Sequence, residues 1–294
     1  MGDFVDLHIH SSHSSDGTFT PRELLRMAGE RGMRAMSISD HDTVAAYPQA
    51  FEESLAAGVE LIPSVELTTL FNGREFHCLL PFVDEASPAL RRILDEVVET
   101  RGVEAKERIR SLQDLGFDIS WDEVTQKSGN STPLGVTIAQ VLIEKSSEKN
   151  SHLMEKYLNP QNRPMAPYVF YKDYFLEGRP AFVTKRHVSL LKVLEEAPAC
   201  GAVPVLAHPG AYFEMATVED LKLLKERGLA GLEVFSTYHD QDQVIHYKAL
   251  GESLGFVLTA GSDFHGKIKP HIPFGSLKEG HYGMIEELRK RRGK

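Results

Sequence analysis

The chain has little of three things that would settle its class at once. It holds two cysteines, Cys78 and Cys200, which is too few for a disulfide framework or a thiolate metal site. That scarcity suits a reducing compartment. It has no apolar run near the length that spans a bilayer, so no membrane partner is expected. Its start, "MGDFVDLHIH", carries acids and histidines where a secretory signal would carry a basic end and an apolar core. A myristoylation reading of Gly2 fails too, because position 6 is Asp6 rather than Ser or Thr. A cytoplasmic protein is expected. Basic charge is also short, with 33 Lys and Arg against 42 Asp and Glu and a formal net charge of −9. This excludes an extended nucleic-acid surface. It leaves room for an anionic substrate at one site, since bound cations reverse the local field.

What is present is an ordinary globular balance, 41% hydrophobic and 26% charged over 294 residues, enough for one large α/β domain with an insert. Short apolar runs, among them "FVDLHIH", "RAMSISDHDT", "VELIPSVELTT", "REFHCLLPF", "AVPVLAHPG", "AGLEVFS" and "GFVLTAGSDFHG", alternate with helical patterns. "TPRELLRMAGERG" and "TVEDLKLLKERG" each open with a Thr suited to cap a helix and end at Gly. Strands alternating with such helices predict a mainly parallel sheet or barrel. Between about residues 100 and 180 the strand pattern fades and helical stretches surround the turn-rich "SGNSTPLG". The expected layout is an α/β unit over residues 1–100, a mostly helical cap over 101–180, and the rest of the α/β unit over 181–294.

The first strand shows where chemistry gathers. Val5, Leu7 and Ile9 point one way and Asp6, His8 and His10 the other, because side chains alternate along a strand. A strand with one apolar and one polar face fits a barrel with its site at the mouth. His41, Glu66, His208, Asp263 and His265 are read as falling late in their own runs, and ligands gather at the carboxyl ends of parallel strands. His-x-His on one face begins a metal site, and "SDHDT", "SVELTT", "EFHCLL", "LAHPG" and "AGSDFHG" add further imidazoles and carboxylates. A buried acid or histidine in an apolar strand needs a partner. Shared metal ions would satisfy them together.

"DLHIHSSHSSDG", "SDHDT", the His of "EFHCLL", "LAHPG" and "GSDFHG" stand in the order of the motifs of the PHP family, the polymerase-and-histidinol-phosphatase phosphoesterases, which the chain resembles over both α/β parts. The resemblance implies a distorted (β/α)7 TIM-like barrel, a mostly helical insert domain and a trinuclear site. His8, His10, Glu66 and Asp263 would hold one metal, with Glu66 bridging to a second completed by His77 and His208. Asp16, His41 and His265 would hold a third, Asp6 would orient a histidine, and Gly17 would serve the turn, while His13 is the doubtful histidine of the loop. The insert is similar to that of stand-alone bacterial members acting on nucleoside 3′,5′-bisphosphates and oligonucleotide 5′ ends. The implied activity is metal-dependent hydrolysis of a phosphomonoester, on a small nucleotide or short oligonucleotide.

The donor set stands apart from the resemblance as well. Imidazoles and carboxylates without thiolate suit three divalent ions of Mn, Fe or Zn type. Three such ions against three carboxylates leave about three positive charges, which attract phosphate. Clustered metals supply hydroxide at neutral pH and neutralise phosphoryl oxygens. His208 and Asp263 are candidates for proton transfer. The expected substrate contacts are Lys185, Arg179, His239 and Lys267, with Arg186 a further cation, and Trp121 reads as a packing anchor. Relatives with this insert often carry an Arg-x-His pair where this chain has Gly135 and Thr137. The other readings are an amidohydrolase-like hydrolase of C–N bonds, which lacks its usual lysine here, and a non-catalytic metal-binding module.

Overall fold

The fold was analysed in a computed structural model that describes residues 3–14, 16–129, 133–145, 151–184, 186–211 and 215–292. The strands are β1 (Val5–Ile9), β2 (Ala35–Ile38), β3 (Glu60–Leu61), β4 (Glu66–Phe71), β5 (Arg74–Leu79), β6 (Val188–Ser189), β7 (Val205–Leu206), β8 (Gly231–Ser236) and β9 (Val257–Gly261). The helices are α1 (Pro21–Glu30), α2 (Tyr47–Ala57), α3 (Pro88–Asp114), α4 (Trp121–Ser128), α5 (Gly135–Glu144), α6 (Ser151–Leu158), α7 (Ala166–Tyr174), α8 (Leu190–Glu196), α9 (Val218–Glu226), α10 (Gln241–Leu254) and α11 (Gly283–Arg289). Among the described residues no helix is long and apolar enough to cross a membrane.

Local chemistry accounts for these elements. Thr20 and Thr217 cap α1 and α9 with reciprocal capping boxes to Glu23 and Asp220. The fold is α/β, and its ladders form two sheets rather than one closed ring, β1-β2-β3 and β6-β4-β5-β7-β8-β9. Isolated parallel bridges tie them at two points, Ile9 of the edge strand β1 to Phe264 past the edge strand β9, and His41 past the middle strand β2 to Glu66 of β4. Pairing is parallel except around β5, which runs antiparallel to both β4 and β7. The cause is Asn72-Gly73, whose φ values of 52° and 76° form the tight two-residue turn that favours a hairpin.

Apolar packing falls into separate clusters. Leu67, Val97, Val193 and Leu232 belong to a cluster against the longer sheet. Phe117, Ile138, Phe170 and Phe175 belong to another, drawn from residues 105–181. The helix α3 joins them without a break: Leu90, Ile93 and Val97 pack in the first and Ala105, Ile109 and Leu112 in the second. Residue 100, the expected boundary, lies inside this helix. Trp121 packs at the edge of the second cluster with Lys106 Nζ 4.8 Å from its ring centre, as a packing anchor would.

Phe170 is fully buried there against Phe117, Tyr157, Tyr174 and Phe175. Phe170→Ala should therefore cost about 3–5 kcal/mol in urea unfolding. A loss below about 1 kcal/mol would show that this cluster is not close-packed.

Candidate metal centre

The strand β1 turns His8 inward, and His10 lies just past its end. Their Nε2 atoms face each other at 3.1 Å. Both rings face Asp263 Oδ1, at 3.3 Å from His8 and 3.0 Å from His10. Asp263 follows β9 with φ 54°, and His208 follows β7 with φ 26°, so both hold a left-handed backbone that a non-glycine residue adopts only under constraint.

Glu66 is the hub. Pro63 breaks the run "VELIPSVELTT" into β3 and β4, so Glu66 opens a strand rather than closing one, contrary to expectation. The hairpin then sets Thr68 opposite His77, which puts His77 diagonally across from Glu66. The Glu66 carboxylate meets His8 Nε2 at 3.2 Å, His10 Nε2 at 3.1 Å, His41 Nδ1 at 3.1 Å, His77 Nδ1 at 2.8 Å and His208 Nε2 at 3.2 Å.

Three groups of donor atoms come together, each within 4.8 Å: His8, His10, Glu66 and Asp263; His10, Asp16, His41 and His265; and His41, Glu66 and His77. His208 touches Glu66 but lies outside these groups, as does His13. The loop carrying Asp16 is built from polar contacts. Ser14 Oγ donates to Asp16 Oδ1 at 2.8 Å, and Asp40 accepts from both Ser11 N and Ser11 Oγ at 2.6 Å. Gly17 passes so close that a Cβ there would sit 1.8 Å from the Ser11 carbonyl oxygen.

Divalent metal fits this donor set. Glu66 Oε2, His41 Nδ1 and His265 Nε2 are buried with no hydrogen-bond partner, although each faces other donors of the groups. The rings cannot all be cations at once. Burial pushes Glu66 up, but the field of His8, His41 and His77 outweighs it and holds the carboxyl well below its usual range. Burial lowers His10, yet Asp263 and Glu66 raise it to about 9, whereas burial leaves His41 and His265 below the usual imidazole value. Neutral imidazoles pointed at shared carboxylates are ready ligands.

Three supporting residues were not read from the sequence. Glu233, in the middle of β8, accepts from His8 Nδ1 at 3.0 Å through Oε1 and from the His208 backbone N–H at 2.9 Å through Oε2. Gly261 makes room for this pair, because a Cβ there would lie 2.1 Å from Glu233 Oε1 and 2.3 Å from His8 Cβ. The buried Lys269 donates to Asp263 Oδ2 at 2.5 Å and to Tyr238 Oη at 2.8 Å. An acid inside the apolar run "AGLEVFS" was the available signal for Glu233. Asp6 was expected to orient a ring, but its Oδ1 accepts from the backbone N–H groups of His8 and Ser262, and Glu233 takes the ring instead.

The expected substrate contacts fare unevenly. Lys185 lies outside the described residues. His239 is a correction: Nδ1 donates to the Val234 carbonyl at 2.7 Å and Nε2 accepts from Gly210 N–H at 2.9 Å, so both nitrogens are spent on backbone. Arg179 is exposed in the turn after α7, away from the donor groups, and Arg186 pairs with Glu107 at 3.1 Å. Lys267 lines a cleft of about 540 Å³ beside the Asp16 loop, together with Lys127, Gln140 and Arg163 from the segment of residues 105–181. Gly135 lines a cavity of about 110 Å³ with His41 and His77, where a side chain would run into the Tyr171 ring at 2.7 Å and Arg108 Nη1 at 3.0 Å, and Thr137 is fully buried.

An α/β sheet with imidazoles and carboxylates converging at its edge defines a protein with a candidate polynuclear metal centre. The chain belongs to the PHP domain family, whose model matches residues 6–178. It is 28% identical over 274 residues to phosphoribosyl 1,2-cyclic phosphate 1,2-diphosphodiesterase of Eggerthella lenta, covering 92% of this chain and 97% of that one. It is 26% identical over 265 residues to 3′,5′-nucleoside bisphosphate phosphatase of Chromobacterium violaceum, covering 89% and 87%. In fold it is similar to a Bifidobacterium adolescentis protein classed provisionally as a metal-dependent phosphoesterase, with a TM-score of 0.84 at 24% identity over 98% and 96% of the two chains.

Glu233→Gln tests the support of His8. If its amide oxygen keeps the His208 N–H, its NH2 faces His8 Nδ1 and drives the proton to Nε2, the atom that faces Glu66 and Asp263. Metal affinity should fall about 10–100-fold with the fold retained. Metal content after dialysis against graded chelator reads this directly, and wild-type retention would remove Glu233 from the site.

Proposed function

We propose that the protein is a metal-dependent phosphoesterase that hydrolyses a phosphomonoester of a small nucleotide, or of a short oligonucleotide end. The observation that carries this reading is the meeting of five imidazoles on one buried carboxylate, Glu66, beside an open cationic cleft. We assign His8, His10, Glu66 and Asp263 to one metal, Glu66, His77 and His208 to a second, and Asp16, His41 and His265 to a third. His10 stands within reach of both the first and the third. Mn, Fe or Zn suits these donors. We read the two sheets, joined by the Ile9–Phe264 and His41–Glu66 bridges, as a distorted barrel, and the cluster of residues 105–181 as a cap over its mouth.

Divalent metal, when bound, lowers the pKa of water and draws charge from a phosphoryl oxygen. The protein's own groups do the rest. Asp263 has Oδ2 held by Lys269 and Oδ1 turned to His8 and His10, so it fixes position more than it moves protons. Glu233 fixes the His8 ring and the His208 backbone together. Arg163 and Lys267 line the 540 Å³ cleft, and neither lies at ion-pair distance from a carboxylate among the described residues. They supply charge for a substrate that is anionic beyond its reacting phosphate. A phosphodiester is the second reading, favoured by the similarity to the Eggerthella lenta enzyme over nearly the whole of both chains.

Phosphate release from a nucleoside 3′,5′-bisphosphate, a 5′-phosphorylated oligonucleotide, AMP and histidinol phosphate, with Mn²⁺ added and a cyclic phosphodiester alongside, ranks these readings. His10→Ala and Asp263→Ala should each lose activity by about a hundredfold or more while remaining folded. Full activity in either would sink the ligand assignment. Chelation should abolish activity and lower Tm, since metal binds the native state alone, and Mn²⁺ should restore both. Activity and Tm untouched by exhaustive chelation would overturn the metal reading.

A further inference from the structure

The helical segment sends a hydroxyl toward the centre that no protein atom among the described residues satisfies. Tyr168 sits on α7, and its hydroxyl is buried with no hydrogen-bond partner among the described residues. A buried hydroxyl without a partner costs about 1–3 kcal/mol, so its place calls for an occupant. The groups acting on it electrostatically are Lys269, Asp16, Tyr238 and Asp263, which belong to the metal centre and its immediate support. With Tyr238, Lys269 and Lys172 it lines a cavity of about 230 Å³. Met165 and His271 complete the lining, whose polar groups are two phenols and two ammonium groups, that of Lys269 shared with Asp263, and such donors can meet an anion.

Burial keeps the Tyr168 phenol far above its ordinary pKa, so it stays a neutral O–H donor. A donor placed where charge develops is worth more in a site closed to water than in water. The tyrosine comes from α7, inside the cluster of residues 105–181, whereas Lys269 and Tyr238 follow β9 and β8.

We propose that Tyr168 is a substrate-contacting residue supplied by the insert, whose hydroxyl donates a hydrogen bond to a nonbridging phosphoryl oxygen held at the centre beside Lys269 and Tyr238. This deepens the phosphoesterase reading and rests on it for the identity of the anion. It also makes the seated insert part of the site.

Tyr168→Phe removes the hydroxyl and keeps the ring. The probe is inorganic phosphate, titrated by calorimetry into metal-loaded wild type and variant, with metal content and Tm measured on both. The variant should bind phosphate about tenfold or more weakly at unchanged metal content and with a phosphate-free Tm no lower than wild type, and kcat/KM on any substrate found should fall by a similar factor. A purely packing role would move Tm and leave phosphate affinity alone. Equal phosphate affinity in the two proteins overturns the inference, and so does a metal-loaded wild type that binds no phosphate. Weakened phosphate binding with no turnover of any ester in the panel would uphold the Tyr168 contact and sink the phosphoesterase reading, which keeps the two failures distinct.

Discussion

Burying the Glu66 carboxylate is the constraint to which the rest of the structure answers. It sits fully buried among five imidazoles at 2.8–3.2 Å. An isolated buried charge is far too costly to keep, and five charged rings around it would be as costly in the other direction. Cations that several donors share resolve both problems at once. The rings are brought in by several devices: alternation along β1 for His8 and on to His10 just past its end, a parallel bridge for His41, a hairpin for His77 and a left-handed backbone for His208. The strain at His208 and Asp263 persists because neighbouring contacts over-determine it.

A polar seam connects that centre to the second core. In the middle of α3, Arg101 Nε meets Asp42 Oδ2 at 2.6 Å, and Asp42 in turn accepts from Thr68 N–H in β4. One turn further on, Glu104 pairs with Arg108 at 2.6 Å. His187 Nε2 lies 2.9 Å from Glu75 Oε2, and Glu75 approaches His77 Nε2 at 3.5 Å. These groups are largely buried, and breaking one member of such a set leaves its partner uncompensated. The two apolar clusters thus meet through matched charges that align only in one register, which positions α7 as well as α3.

Much of the centre was legible because metal ligation restricts residue type. His8, His10, His41, His77, Asp263 and His265 stood out as imidazoles and acids at the ends of apolar runs or within them, and the structure gathers them with Glu66 and Asp16. Direction was harder. Asn72-Gly73 is a hairpin signal, and it makes β5 the antiparallel strand in an otherwise parallel arrangement, a detail that the expectation of a mainly parallel sheet left open. His239 looked like a pocket residue because strand ends attract function, yet the sequence cannot show that two backbone groups claim both its nitrogens. Lys269 and Tyr168 were invisible for a different reason. One is a lysine in a loop and the other a tyrosine in a helix, and only the packing of separate segments buries them at one place.

The unbroken helix α3 has a consequence for how such a protein can be inherited. Its first turns pack in the core against the longer sheet and its last turns in the helical core, with no linker between them. Over 27 residues it is a rigid rod about 40 Å long. The helical cluster is therefore joined to the sheet's core by continuation of one helix that packs in both. Recombination that exchanged the insert at that point would have to preserve helical phase across the join. Each residue gained or lost turns everything beyond it by about 100°, because an α-helix has 3.6 residues per turn. Lineages of this architecture should therefore vary α3 by substitution and confine length changes to the loops beyond it.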